Sequence, residues 1–140
     1  HKWAFLHDEV GYNYRMPNLN AALGVAQMEK LPDMLDAKRA IADRYAAFFA
    51  DCDEQFVRER TGVTANYWLN AILTDNRSAR DEWLAMTNEA GVMTRPAWEL
   101  MPDLPMYRQC QHGGLENARW LQDRLVNIPS SVPDGWIDKQ

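Results

Sequence analysis

A polar turn that runs directly into a proline-initiated helix is the feature that most constrains how this chain folds. Residues 11–15 read Gly-Tyr-Asn-Tyr-Arg, and Pro17 follows at a position that suits the first residue of a helix. Proline fits there because its missing N–H would have had no partner and its φ is already helical. Asn18 and Asn20 could bond first-turn amides, and with Arg15 the helix start favours an anion. A plain structural start is the commoner alternative.

A second proline limits that helix. Pro32 clashes with the turn before it, so the sequence predicts a kink or short break near Leu31. Apolar side chains then recur at helical spacing from Asp33 to about Ala50, which predicts a second, core-facing helix. Small side chains in the first helix, Gly24 among them, favour tight packing within the domain.

A hairpin is predicted in the middle of the chain. Residues 56–60 and 63–73 are rich in strand-forming side chains and flank a Thr-Gly turn signal. Both faces of the longer strand are expected to be largely covered, with Asn66 and Asn70 as the polar exceptions. We expect these two amides to bond nearby backbone groups.

The last half of the chain predicts alternating helices and short strands. In order, these are a helix at 79–90, a strand at 92–95, an ordered loop at 96–114, a helix at 115–125 and an edge strand at 126–129. Ser78 with Asp81 resembles a capping box, Trp83 and Met86 are expected on the apolar face, and Gly91 stands where a left-handed cap belongs. This order predicts an α+β fold, a small, mainly antiparallel sheet packed with helices and preceded by the broken helix.

Composition excludes several classes of partner. The 15 basic and 20 acidic residues give a net charge of −5, which argues against nucleic acid. No apolar run approaches the roughly 20 residues that cross a bilayer, and no signal-peptide pattern is present, so we expect a cytoplasmic protein with no membrane association. Cys52 and Cys110 lack a CxxC spacing, which predicts neither a disulfide framework nor a metal site. The 140 residues predict one domain.

Five blocks of the sequence resemble the C-terminal part of the DegT-type sugar-nucleotide aminotransferases. They are GYNYRMPNLNAALGVAQMEKL (11–31), ANYWLNAIL (65–73), GVMTRPAWELM (91–101), LPMYRQCQ (104–111) and LENARWLQDRLVNIPSSV (115–132). The blocks follow the family's order and cover nearly the whole chain. The TRPAW variant is similar to the branch that acts on UDP-linked 4-keto-6-deoxy-N-acetyl sugars.

The resemblance implies a piece of a homodimeric enzyme of fold type I, the aspartate aminotransferase fold, that uses pyridoxal 5'-phosphate. Residues 1–16 would link to the missing half and carry the cofactor-phosphate turn, and residues 17–140 would form the small domain, with the first helix near the dimer interface. The implied reaction transfers an amino group from an amino acid, with glutamate the expected donor, to a 4-keto-6-deoxy sugar nucleotide for surface polysaccharide biosynthesis.

No catalytic residue is assigned in this chain. Its four lysines, Lys2, Lys30, Lys38 and Lys139, lie outside the motif that carries the family's cofactor-linked lysine. We therefore expect the chain alone to be inactive. Two alternatives stay open: a related sugar dehydratase, in which histidine replaces that lysine, and a non-catalytic interaction module.

Three residues are carried over as binding positions. Asn13 matches the family's asparagine that reaches the cofactor phosphate of the other subunit, and Arg15 is expected at that phosphate or at the nucleotide diphosphate. Arg95 lies where many relatives carry a histidine-tyrosine pair near the sugar nucleotide, and we expect it to bind substrate beside a specificity loop at 96–107. From the residues alone, the alternatives are a turn-capping asparagine and two exposed charges.

Overall fold

The computed structural model describes residues 3, 6–133 and 135–136, which form the predicted α+β architecture. The helices are α1 (Asn18–Glu29), α2 (Leu31–Phe48), α3 (Arg77–Glu89) and α4 (Glu116–Gln122), and the strands are β1 (Gln55–Phe56), β2 (Asn70–Leu73), β3 (Arg95–Pro96) and β4 (Leu125–Ile128). Single 3-10 turns occupy Phe49–Asp51, Met101–Asp103 and Pro105–Tyr107. Lys2 and Lys139 lie outside the described residues.

The predicted break between the first two helices is confirmed. Lys30 separates α1 from α2, and Pro32 lies in the first turn of α2. At that position the missing N–H of proline removes no helical hydrogen bond, so Pro32 is tolerated at the start of the second helix. The same residue could not have continued the first helix.

The described strands form one antiparallel sheet in the order β1-β2-β4-β3. The expected edge strand at 126–129 is wrong, since β4 is an inner strand that pairs with β2 and β3. Pro129, which suggested an edge, follows the last ladder residue and removes no ladder hydrogen bond. The proline that does stand in the ladder is Pro96, on the edge strand β3.

Helices α2 and α3 cover one face of the sheet and close the core. Its buried members are Ala42, Phe49, Phe56, Ile72, Leu84, Val126 and Ile128. Ile72 and Val126 are directly opposite in the β2–β4 register, and both are fully buried. Burying side chains of this size contributes about 1.5–3 kcal/mol each relative to exposure, so this pair anchors the domain.

The hairpin is present but shorter than predicted. β1 pairs with β2, whereas residues 63–69 are not in strand conformation and Tyr67 adopts a positive φ of 47°. Asn66 behaves as expected, with its side-chain oxygen accepting from the backbone N–H of Trp68 at 3.0 Å. Asn70 does not: it is buried, and neither side-chain polar atom has a hydrogen-bond partner among the described residues.

The start of α3 differs from the predicted capping box. Asn76 is the N-cap, and its side-chain oxygen accepts from Ala79 N at 3.1 Å, whereas the Ser78 hydroxyl pairs with Glu82. The expected apolar face is confirmed at Trp83, which packs against the core, and wrong at Met86, which is exposed; the buried residues of α3 are Arg80, Leu84 and Thr87. Asparagine caps helices as well as serine does, and it stands two residues earlier.

The end of α3 is as predicted. Gly91 has a φ of +80°, and its N–H donates to Asn88 O at 3.1 Å. This is the left-handed cap that glycine adopts without a steric penalty. The cap turns the chain toward β3, which positions Arg95.

Candidate functional site

The turn before α1 has a defined hydrogen bond. Arg15 N donates to the Asn13 side-chain oxygen at 2.8 Å, and Arg15 has a φ of 76°. Both residues are exposed. The side-chain oxygen of Asn13 accepts this bond, and its side-chain N–H₂ remains as a donor toward a ligand.

The N-terminus of α1 adds further donors. Pro17 is the N-cap residue, with φ −67° and ψ 159°, so it lies one position before the place that the sequence predicts. No side-chain oxygen caps this helix, which corrects the role expected of Asn18 and Asn20. The first-turn N–H groups and the positive end of the dipole therefore follow the turn at 13–15 in the chain and have no side-chain cap.

Helix α1 does not pack into the domain. It contains no buried residue, and Leu19, Leu23, Val25 and Met28 are each more than 60% exposed. A Cβ built on Gly24 would meet nothing within 4 Å. The expectation of tight packing within the domain is therefore wrong, and the apolar surface of α1 lies open in this chain.

Arg95, the third of the predicted binding residues, lines a cavity of about 470 Å³. The cavity is bounded by the residues before β2, those around β3 and those at the end of β4, and its walls include Trp3, Trp68, Leu69, Met93, Trp98, Asn127 and Ser131. Pockets of this size and apolar character, with a few polar groups, are typical of small-molecule sites. Neither Asn13 nor Arg15 lines this cavity, so the structure brings Arg95 together with aromatic side chains and leaves the turn at 13–15 separate.

The two indoles in the cavity wall form a stacked pair. The rings of Trp68 and Trp98 lie 6.3 Å apart between centroids, with 20° between their planes. Both side chains remain more than half exposed. Sequence reasoning placed Trp68 on a covered strand face and missed this role. The signal available was Asn66 two residues earlier, since asparagine commonly closes a turn on the N–H two residues ahead.

Lys38 fixes the wall that carries Trp68. Its ammonium donates to Trp68 O at 3.2 Å and to Ser130 O, which joins α2 to both sides of the cavity mouth. Burial lowers the pKa of Lys38 below its ordinary value because the charged form loses water. On the opposite wall, Asn127 Nδ2 donates to Pro96 O at 3.2 Å and holds the segment that leads to Trp98.

The other titratable residues give no further site. Among residues 3, 6–133 and 135–136, no group of three or more His, Cys, Asp or Glu side chains could hold a metal ion. No helix in that part of the chain is long and apolar enough to span a bilayer. Cys52 and Cys110 are free and exposed.

The comparison with known families decides the relationship. The model of the DegT/DnrJ/EryC1/StrS aminotransferase family matches residues 1–133. The chain belongs to this family. A GDP-perosamine synthase from Vibrio cholerae is 34% identical over 129 residues, which cover 90% of this chain and 35% of that protein. The chain thus spans about a third of the length of the curated relatives it matches.

Solved structures of sugar-modifying enzymes share the fold. Helicobacter pylori PseC, an aminotransferase involved in pseudoaminic acid biosynthesis, superposes with a TM-score of 0.75 at 17% identity, over 93% of this chain and 37% of that one. An E. coli GDP-4-keto-6-deoxy-D-mannose-3-dehydratase with bound hydrated PLP gives a TM-score of 0.66 at 19% identity, over 91% and 35%. The small antiparallel sheet with its helices is therefore the corresponding part of a fold-type-I enzyme.

Proposed function

We propose that this chain is the small domain of a cytoplasmic, pyridoxal 5'-phosphate-dependent aminotransferase. The substrate is a 4-keto-6-deoxy sugar nucleotide, and the amino donor is an amino acid, with glutamate the donor we expect. Family membership supports the reaction class, and the relative named GDP-perosamine synthase supports a nucleotide-linked sugar. The observation that carries the assignment is the exposed turn of Asn13 and Arg15 at an uncapped helix start.

The donors in that turn fit a phosphate group. A phosphate monoester needs several N–H donors and a nearby positive charge. The side-chain amide of Asn13, the guanidinium of Arg15 and the first-turn N–H groups of α1 supply these, and the bond from Arg15 N holds the Asn13 amide in one orientation. When bound, the cofactor would supply an electron sink for amino transfer, while Asn13 and Arg15 would hold its phosphate.

In this proposal the same region also forms the interface of a homodimer. The open apolar side chains of α1 adjoin the turn, so a second subunit that covers α1 would lie beside Asn13 and Arg15. Apolar surface of this kind is stabilised by burial at about 25 cal/mol per Å². Asn13 would then serve the cofactor of the partner subunit.

A mixed dimer of the longer polypeptide tests this arrangement. One subunit carries Asn13→Ala and also lacks the cofactor-linked lysine, and its partner is unchanged, so that each dimer retains one lysine-bearing site, which Asn13 of the altered subunit would serve. Cofactor affinity should fall about five- to tenfold at the lysine-bearing site, because one phosphate donor is lost. Asn18→Ala is the matched control, since Asn18 is exposed nearby and makes no capping bond. Unchanged affinity with Asn13→Ala would contradict the role in trans.

Arg95 is proposed to bind the sugar nucleotide. In the longer polypeptide, Arg95→Ala should raise the KM for the sugar nucleotide about tenfold to hundredfold and leave the KM for the amino donor nearly unchanged. Arg58→Ala serves as the control, because Arg58 is exposed and does not line the cavity. A deoxygenated product with no amino group would instead indicate the dehydratase reaction. An equal change in both KM values would show that Arg95 does not discriminate between the substrates.

A further inference from the structure

The Trp68–Trp98 pair is built more rigidly than two exposed tryptophans require. Lys38 donates to Trp68 O and the Asn66 side chain accepts from Trp68 N, so both backbone polar groups of Trp68 are bonded to side chains. A partly buried ammonium is a costly way to hold a surface residue, since desolvation disfavours its charged form. The indole of Trp68 is thereby held at the cavity mouth.

Trp98 is fixed from the other side of the cavity. Asn127 holds the carbonyl of Pro96, two residues before the indole. Glu99, the next residue, accepts from Gln122 Nε2 on α4 at 2.9 Å. Bonds on both sides of Trp98 restrict the segment, so its ring loses little further freedom when a ligand binds it.

The pair presents flat aromatic area beside a cation. The two rings are nearly parallel, and 66% of Trp68 and 57% of Trp98 remain exposed. Arg95 lines the same cavity. Exposed, preorganised ring faces in a cavity that an arginine also lines match a ligand that joins a planar heteroaromatic ring to a phosphate, because the ring stacks and the phosphate accepts charge-assisted hydrogen bonds.

We propose that Trp68 and Trp98 form the stacking platform for the base of a nucleoside diphosphate, with Arg95 on the phosphate side. The inference rests on the proposed function for the statement that this nucleotide is part of the substrate. The binding itself concerns only this chain. It assigns base recognition to two tryptophans that are separated by 29 residues in the sequence and meet only in the fold.

Titration of the 140-residue chain with GDP and UDP tests the platform. Tryptophan fluorescence and calorimetry should report binding to the wild-type chain, and Trp98→Leu and Trp68→Leu should each weaken it about tenfold to hundredfold, the loss expected for one aromatic–base stack. Trp98→Phe, which keeps a ring face, should recover most of the affinity. Circular dichroism verifies that each variant is folded.

Two controls separate stacking from other effects. Trp120→Leu removes an exposed tryptophan that packs against Arg124 and does not line the cavity, so it should leave the affinity unchanged. Pyrophosphate has no base, and its weaker binding should be insensitive to both cavity substitutions. Equal losses for GDP and pyrophosphate, no recovery with phenylalanine, or no nucleotide binding to the wild-type chain at millimolar concentration would overturn the platform. If nucleotides bind as expected and the longer polypeptide transfers no amino group, the proposed function fails while this inference stands.

Discussion

Arg119 and Asp103 form a two-pronged ion pair in which both terminal guanidinium nitrogens donate to the carboxylate, each at 2.9 Å. The pair ties α4 to the 3-10 turn at Met101–Asp103, within the loop that follows β3. Paired geometry of this kind is more specific than a single surface contact. It explains how a loop with little regular structure keeps its shape beside the cavity.

This ion pair predicts a pH-dependent contribution to stability. The hydrogen bond from Arg119, with the positive charges nearby, holds the pKa of Asp103 below its ordinary value of 3.8. A lowered carboxyl pKa stabilises the folded state above the unfolded pKa, and the contribution is lost as pH falls through the folded value. Asp103→Asn should therefore lower the Tm at pH 7, and the difference from wild type should shrink steadily below about pH 4.

Asp43→Asn is the control for that measurement. Asp43 meets Arg58 through one 3.3 Å contact between two well-exposed side chains, a geometry that contributes little. Its Tm should match wild type across the pH range. If Asp43→Asn lowers the Tm as much as Asp103→Asn does, a single exposed ion pair contributes as much stability as the two-pronged pair. If the Tm of Asp103→Asn still differs from that of wild type at pH 2.5, the effect does not come from ionisation of Asp103.

The buried amide of Asn70 predicts a substitution that does not destabilise. Asn70 is 1% exposed and its side-chain N and O have no partner among the described residues, although its backbone N–H donates to Ser130 Oγ at 2.7 Å. An unpaired buried amide costs about 1–3 kcal/mol, so Asn70→Leu should keep or raise the free energy of unfolding in urea titrations.

Thr94→Val is the matched comparison for Asn70→Leu. Thr94 is equally buried, but its hydroxyl bonds with the Thr87 hydroxyl and accepts from Asn88 Nδ2 at 2.9 Å. Its loss should cost about 1–3 kcal/mol because the partners stay buried and unpaired. If Asn70→Leu proves as costly as Thr94→Val, the amide of Asn70 must be satisfied by a bound group.

The fold class was predictable because it depends on residues that start or end helices and on the periodicity of apolar side chains. Pro32 and Gly91 act through backbone geometry alone, so the helix break and the left-handed cap follow from residue type. The position of β4 in the sheet was not predictable, since a short, mainly apolar segment before a proline suits an edge or an inner strand equally. Only the pairing of β4 with both β2 and β3 decides between them.

The candidate site was predictable only where it is local. Asn13 and Arg15 are two residues apart, and asparagine in a turn commonly accepts from the N–H two residues ahead, as it does here. Trp68, Trp98 and Lys38 come together from three distant segments. No residue spacing in the sequence predicts that these three side chains lie close together. The strand alternation used to orient Trp68 does not apply, because Tyr67 has a positive φ and β2 begins only at Asn70.

The left-handed cap of α3 predicts a cost for any side chain at Gly91. Its φ of +80° is unfavourable for L-residues, whereas a Cβ there would meet nothing within 4 Å. Gly91→Ala should therefore lower the free energy of unfolding by about 1–2 kcal/mol through backbone strain alone. Gly113→Ala, at an equally open glycine without a positive φ, should cost nothing measurable. Equal effects of the two substitutions in urea titrations would contradict the strain argument.

The desolvated ammonium of Lys38 predicts stability that rises with pH. Burial lowers the pKa of Lys38 below 10.5, so in the window between the folded and unfolded values the unfolded chain binds more protons than the folded one. The free energy of unfolding then increases with pH across that window. Wild type should gain stability relative to Lys38→Met as pH rises toward 10.5, because the side chain keeps its contacts with Trp68 O and Ser130 O while the cost of partly burying the charge falls. Urea titrations of the two proteins at matched pH measure this difference, and Lys30→Met, at the exposed junction between α1 and α2, corrects for the loss of one lysine charge. A difference between wild type and Lys38→Met that stays constant or narrows over this range would mean that the two carbonyl bonds outweigh desolvation at Lys38.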